Sequence, residues 1–316
     1  MKIFRFVLAT KAEHSIKIMC RVLEVSRSGY HAWARRLPSP RARENARLTE
    51  RIREIHEENK KVYGSPRIHA ELVLGDGERL GRKRVERLMR QAGISGLIPR
   101  RRGRTTIRVP GVRVCDDLVD RAFAAGAPDR IWAADITYLR TWQGWLYLVA
   151  VQDLYSRRIV GWSMADHMRT ELVCDALGMA LAHRRPRPGL IWHSDQGSQF
   201  VSLAFGQQAR AAGIAQSMGS RGDCYDNSVA ESFFATLKKE LVDRRSWPEK
   251  AELRTEIFDY IEIFYNRRRR HSTLGMLSPV DYENSTRSDP GARLAASRLV
   301  ASETMNNTAT AETINA

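Results

Sequence analysis

The segment RIWAADITYLR at residues 130–140, followed by GWLYLVAVQD at 144–153 and RIVGWSM at 158–164, decides the fold. Each run is rich in β-branched and aromatic residues, and polar turns around Gly144 and Tyr155-Ser156 separate them. The pattern predicts three consecutive strands, about Arg130–Leu139, Trp145–Gln152 and Arg158–Met164, in an antiparallel meander. Downstream the period changes. Glu171–His183, Ser202–Ala212 and Asn227–Val242 read as helices, with short strands at Gly189–Trp192 and Ile214–Met218 between them and a last long helix over Ala251–Tyr265. This order predicts an α/β fold, a mixed five-stranded sheet flanked by helices.

Upstream of the sheet the chain has a different character. The 316 residues carry 52 Lys and Arg against 36 Asp and Glu, and the excess is confined to one region. Residues 1–110 hold 27 basic and 11 acidic side chains, whereas the two signs cancel at 25 each over 111–316. A basic module ahead of a neutral one suits a protein that grips a polyanion while another domain does different work.

The basic third reads as helical. Ile16, Met19, Val22 and Leu23 recur at helical spacing, and Ser26 can cap a second helix through Tyr30 and Trp33. The pair fits a helix-turn-helix, and equally any small helical hairpin. A charged helix follows at about Glu44–Asn59, and Pro66 can open another through Leu74. The helix at about Arg82–Ala92 turns Val85, Leu88, Met89 and Ala92 inward and leaves Arg82, Lys83, Arg84, Arg87 and Arg90 mostly outside. Such a helix can lie in a DNA major groove. Arg101 and Arg102 sit in a run without apolar periodicity that reads as a phosphate-tracking linker. The expected division is therefore a helical region at 1–60, a helix-turn-helix-like DNA-binding domain at 61–98, a basic linker at 99–124, a catalytic core at 125–283 and a disordered tail at 284–316.

Membrane spans are not expected, because the apolar runs fall far short of about 20 residues. The scattered Cys20, Cys115, Cys174 and Cys224 include no CxxC pair, which argues against a disulfide framework or a zinc knuckle and for a reduced, cytoplasmic protein.

Three carboxylates fall where such a sheet would gather them: Asp135 in the first strand, Asp195 after the fourth in HSDQGSQF at 193–200, and Glu231 in the helix NSVAESFF at 227–234. An all-oxygen set suits hard Mg2+, and two metals about 4 Å apart can drive an in-line phosphoryl transfer. Each acid alone has a plainer reading, as a turn cap, an arginine partner or a solvated helix face. Asp153, Asp223 and Asp226 are read as shaping turns or helix starts, His193 as an orienting neighbour of Asp195, and Gln199 as a DNA contact or a turn residue.

These blocks carry a resemblance. Trp132–Tyr138, His193–Phe200 and Asn227–Lys238 are similar to the signature blocks of the integrase-like DDE transposases of two-reading-frame insertion sequences, in particular their second-frame product. The 35 residues between Asp195 and Glu231 match that family's spacing, as do Tyr63-Gly64 through Met89 and the late run Tyr265-Asn266, Arg270-His271-Ser272, Leu274-Gly275, Ser278-Pro279 and Tyr282. The resemblance implies a ribonuclease-H-like core in which Asp135, Asp195 and Glu231 bind two Mg2+ ions, with Mn2+ as an alternative. It implies that Lys238, on the same helix face as Glu231, holds DNA beside the metals. It implies end cleavage and strand transfer on double-stranded DNA, at terminal inverted repeats and target, by a homo-oligomer at the nucleoid with a first-frame partner or fusion. A metal-dependent nuclease of the same fold and a DNA-binding regulator with an inert core are the competing readings.

Overall fold

The structure is a computed structural model that describes residues 2–97, 125–195, 197, 199–218 and 228–288. The expected linker at 99–124, with Arg101 and Arg102, lies outside the described residues, as do Asp223 and Asp226.

Three short helices open the chain: α1 (Lys2–Ala9), α2 (Ile16–Val22) and α3 (Arg27–Ala34). They close around Val7, Met19, Cys20 and Tyr30. Ser26 caps α3 as expected, its Oγ accepting the Gly29 N–H at 3.2 Å. The sequence reading has no counterpart of α1, whose short apolar stripe becomes recognisable only when Phe4 meets the Tyr30 and Trp33 rings. Next come α4 (Pro40–Glu58), α5 (Ser65–Ala70), which continues as a wider π turn to Gly75, and α6 (Arg82–Gln91). Helix α4 starts earlier than expected because Pro40 suits the first helical position and Ser39 Oγ accepts the Ala42 N–H at 3.2 Å. Val85, Leu88 and Met89 of α6 are buried, in line with their spacing.

Strands β1 (Ile131–Thr141), β2 (Gly144–Asp153), β3 (Ile159–Ala165), β4 (Ile191–Ser194) and β5 (Ala215–Met218) form one sheet in the order β3-β2-β1-β4-β5. The meander is antiparallel, whereas β4 joins β1 and β5 joins β4 in parallel. Parallel neighbours need crossovers, here α7 (Thr170–Arg184) and α8 (Leu203–Ala211). Alternation along β1 divides the core. Trp132 and Ala134 face the α7 and α8 side with Val149, Val151 and Val160. Leu139 faces the other side with Leu146, Leu148 and Ala150, under α9 (Ser228–Glu240) and α10 (Lys250–Asp259). The resulting mixed five-stranded sheet flanked by helices is the expected one.

Gly161 of β3 is where α7 comes closest. A Cβ there would meet the Ala176 carbonyl, with Ala180 Cβ at 2.7 Å. Helix α7 is held over the sheet by Val173, Ala176, Leu177 and Ala180, so it cannot retreat without opening that core. Gly161→Ala is therefore expected to destabilise the protein by about 3 kcal/mol in urea denaturation.

The basic helices do not stand apart from the sheet. Leu48, Ile52, Tyr63, Ile68 and Leu88 belong to the same apolar cluster as Leu146, Phe233, Leu237, Tyr260 and Phe264. Fully buried Tyr63 donates its hydroxyl to the Arg268 carbonyl at 3.2 Å and accepts the Arg270 N–H at 2.8 Å, while Arg270 pairs with Glu71 at 2.7 Å. The 61–97 part of the expected DNA-binding domain is thus docked on the C-terminal half of the core.

Helix α10 runs through a π turn to Tyr265, and α11 (Pro279–Ser288) ends the described chain. Helix α11 extends past Asn284 into the stretch expected to be disordered. Buried Glu283 anchors it through Ser156 Oγ at 2.7 Å and Arg184 Nη1 at 2.8 Å. Among the described residues no helix is long and apolar enough to cross a membrane.

Candidate active site

Asp135 sits midway along the central strand, opposite Ala150 of β2 and on the sheet face that carries α9. Its Oδ1 accepts the Ile136 N–H at 2.7 Å. Asp195 follows β4, which lies parallel to β1, so its carboxylate emerges beside Asp135; its Oδ1 accepts the Gly197 N–H at 3.0 Å. Gly197 is needed there, since a Cβ would lie 2.9 Å from that oxygen. Glu231 occupies the first turn of α9, where a negative charge also suits the helix dipole.

The three acids converge electrostatically. Burial pushes the Asp135 carboxyl up to about 7, and the charges of Asp195 and Glu231 push in the same direction, against the Ile136 N–H and the Lys238 ammonium. Burial also raises Glu231. No group of three His, Cys, Asp or Glu side chains among the described residues is tight enough to hold one ion between them. Three like charges resist closer approach unless a cation joins them. The donor set itself, carboxylate oxygens around a half-buried aspartate, is the chemistry that a hard divalent ion prefers.

Asp135 and Asp195 line a cleft of about 680 Å³ together with Tyr138, Trp145, Met168 and Gln199. Tyr138 and Trp145 also line an adjoining hollow of about 520 Å³ with Lys238, Trp142 and Arg245. The two hollows share that aromatic wall. Lys238 Nζ lies 5.5 Å from the Tyr138 ring centre, and the Tyr138 and Trp145 rings meet edge to face at 5.2 Å. Tyr138, Trp142 and Trp145 are large exposed aromatics to which sequence reasoning gave no role, placing Tyr138 and Trp145 in strands and Trp142 in the turn between them. The available signal was three large aromatics, Tyr138, Trp142 and Trp145, among the exposed positions of one short hairpin.

The remaining predicted residues fall into two groups. Arg82, Lys83, Arg87 and Arg90 lie exposed on α6, with Arg90 paired to Glu86 at 2.8 Å. Arg84 is half-buried: its Nε and Nη2 donate to Asn45 Oδ1 at 3.1 and 2.9 Å, and Nη2 pairs with Glu44 at 2.9 Å. It clamps α6 to α4, which helical periodicity alone had placed among the outward cations. His193 is buried, its Nδ1 3.1 Å from Ser217 Oγ, an orienting contact between β4 and β5. Asp153 shapes the β2–β3 turn as expected, accepting the Tyr155 N–H at 2.8 Å. Gln199 ties its loop to the Met168 carbonyl at 3.0 Å.

Comparison with known proteins agrees with this architecture. The Integrase core domain models match residues 125–224 and 212–279, and the HTH-like domain model matches residues 43–102. The chain is 40% identical over 281 residues to the transposase InsF for insertion sequence IS3A of Escherichia coli strain K12, an alignment spanning 88% of this chain and 97% of the relative. It is also 40% identical over 264 residues to the insertion element IS600 uncharacterized 31 kDa protein of Shigella sonnei, spanning 84% and 97%. Among solved structures it is similar to the HTLV-2 integrase catalytic core domain in complex with magnesium (TM-score 0.38, 17% identity, 50% of this chain and 97% of that one). With a helix-turn-helix-like region ahead of an integrase core and this identity over most of its length, the chain belongs to the insertion-sequence transposases of the InsF type.

Proposed function

We propose that Asp135, Asp195 and Glu231 are the catalytic carboxylates of this transposase and hold two Mg2+ ions, or Mn2+ in their place, during DNA end cleavage and strand transfer. The observation that carries the reading is the placement of Asp135, in mid-strand, in one cleft with Asp195 and within electrostatic reach of Glu231 and Lys238. A carboxyl pushed to about 7 by burial and by two facing acids is poorly placed for stability and well placed for a cation. When bound, a pair of divalent ions activates the attacking oxygen and stabilises the leaving one. Water attacks a phosphodiester at the element end and displaces the 3′-oxygen, and the freed 3′-hydroxyl then attacks a second phosphodiester, bonding to its phosphorus and displacing that strand's own 3′-oxygen, so no side-chain nucleophile is required. Lys238 holds the strand backbone beside the acids, and the rings of Tyr138 and Trp145 offer faces on which a base can stack.

Double-stranded DNA at the terminal repeats and at the target is the proposed substrate. Assembly as a homo-oligomer on that DNA at the nucleoid, with a first-frame partner or fusion, follows from family resemblance and is tested by the mass of the complex formed on end DNA. The direct test is incubation of the protein with labelled terminal DNA of its own element and Mg2+. Joined products support strand transfer, and cut but unjoined DNA identifies a nuclease.

The basic helix gives a separate prediction. Exposed Lys83 and Arg87 are proposed phosphate contacts, so replacing both with Ala should lower the slope of log K against log salt by about 1.8. Arg84→Ala should instead lower the melting temperature, because its carboxamide and carboxylate partners lie within the protein. Salt-dependent DNA binding and thermal melts of the two variants check this division.

A further inference from the structure

A second polar hollow, of about 260 Å³, lies between the docked basic helices and the core. Arg67 of α5, Arg157 of the β2–β3 turn, and Arg269 and His271 beyond the π turn line it, with Ser232 and Thr236 of α9. The charge around it is unbalanced. Glu240 is the carboxylate that the arginines share, and it is already committed to Arg269, which donates from Nε at 2.8 Å and Nη2 at 2.7 Å, and to the Tyr260 hydroxyl at 2.8 Å. Arg67 reaches it only at 3.6 Å. The Arg157 guanidinium pairs with no carboxylate among the described residues, although it is half-buried. Arg269 Nη1 lies 3.5 and 3.4 Å from the two His271 ring nitrogens, and burial together with the charges of Arg269, Arg67 and Arg157 holds His271 well below its usual range.

Sequestering a guanidinium without a counter-charge costs free energy, and such an arrangement persists where a ligand supplies the missing charge. Three guanidiniums and two hydroxyls converging on one small hollow match the tetrahedral oxygens of a phosphate. Ser232 and Thr236 put the hollow against α9, the helix that bears Glu231, on a face about 100° round its axis from that carboxylate.

We propose that this hollow is a phosphate site that seats one backbone phosphate of the DNA strand running past the catalytic carboxylates, and that Arg157 is its principal unpaired contact. The assignment to DNA rests on the function proposed above. Because Arg67 comes from the helix-turn-helix-like region and Arg157 from the core, the seated phosphate also bridges the two.

The test uses the full chain and Arg157→Gln, both in metal-free buffer. Inorganic phosphate, compared with chloride at equal ionic strength, should raise the melting temperature of the wild type and leave that of the variant unmoved. In phosphate-free buffer the variant should melt at or above the wild-type temperature, the opposite of what loss of a structural arginine does. On terminal DNA the variant should bind about tenfold more weakly, with a salt slope lower by about 0.9. Arg157→Lys should recover the slope. A wild type indifferent to phosphate together with a variant that melts lower overturns the proposal and makes Arg157 structural. A phosphate response lost in the variant with an unchanged DNA slope overturns the assignment to DNA and identifies free phosphate as the occupant. Neither binding measurement needs metal or catalysis, so joining by an Asp135→Asn variant would defeat the catalytic reading and leave these results standing.

Discussion

Asp135→Asn is expected to abolish strand transfer, by at least about a thousandfold, while making the metal-free protein more stable. Asparagine keeps the volume and an oxygen to accept the Ile136 N–H, but it cannot carry the charge that draws in a divalent ion. The stability gain has a defined sign. The folded Asp135 carboxyl ionises near 7 and the unfolded one near its ordinary value of 3.8. Between those values the native state binds the extra proton, so metal-free stability falls as pH rises from about 4 to about 7 and stays low above it. At pH 8 the substitution should recover about 1–3 kcal/mol, less than the full shift implies because the group is only partly shielded from water. Adding Mg2+ should raise the wild-type melting temperature and leave that of the variant unchanged. Asp195→Asn and Glu231→Gln should be equally inactive, and all three should keep their affinity for terminal DNA. Wild-type-like joining by any of them would remove that residue from the catalytic set, and an Asp135→Asn protein that melts lower in metal-free buffer at pH 8 would contradict the electrostatic account.

The second large effect is structural. Arg184→Ala is expected to destabilise the protein by about 3 kcal/mol, because Asp129 and Asp153 lose the cation they share and Glu283 keeps only the partly exposed Arg158, 3.0 Å away. Arg184 Nε donates to Asp129 Oδ1 at 2.8 Å and Nη1 to Glu283 Oε2 at 2.8 Å. Its Nη2 stands 3.5 Å from Asp153 Oδ2, an ion-pair distance without hydrogen-bond geometry. The cluster fastens α11 to the end of α7 and to the β2–β3 turn. Burial by itself would raise the Glu283 carboxyl, and Arg184 overcomes it, holding Glu283 below its usual range. A depressed carboxyl contributes stability at neutral pH that is lost as pH falls below about 4. Wild type should therefore lose this contribution in acid, while Arg184→Ala should be destabilised at neutral pH and less sensitive to that fall. A cost under about 1 kcal/mol in urea denaturation at pH 7 would show that water already screens the cluster.

Much of the fold is legible because its signals are local. The alternation from Ile131 to Thr141 and the polar turn before Gly144 specify the meander, since a slip of one residue would turn Trp132 and Leu139 to the wrong faces. The starts of α3 and α8 are legible because Ser26 and Ser202 cap them. Less local features are not. Helix α1 has too few turns to announce itself, and the helical state of Asn284–Ser288 depends on Glu283 finding Arg184, distant in the chain. Composition alone suggests a solvated tail there, because it cannot register that partner.

The candidate site divides in the same way. Sequence alone determined the strand that bears Asp135, the blocks holding Asp195 and Glu231, and membership of a transposase family, because periodicity and spacing are properties of the chain itself. Only tertiary structure decided that the acids act on one another, that Arg84 is a clamp while Lys83 and Arg87 remain exposed, and that Arg67, Arg157 and Arg269 surround one hollow. Those outcomes depend on which surfaces lose water together. Desolvation and facing charge belong to pairs of residues brought close by packing, and no single stretch of sequence contains them.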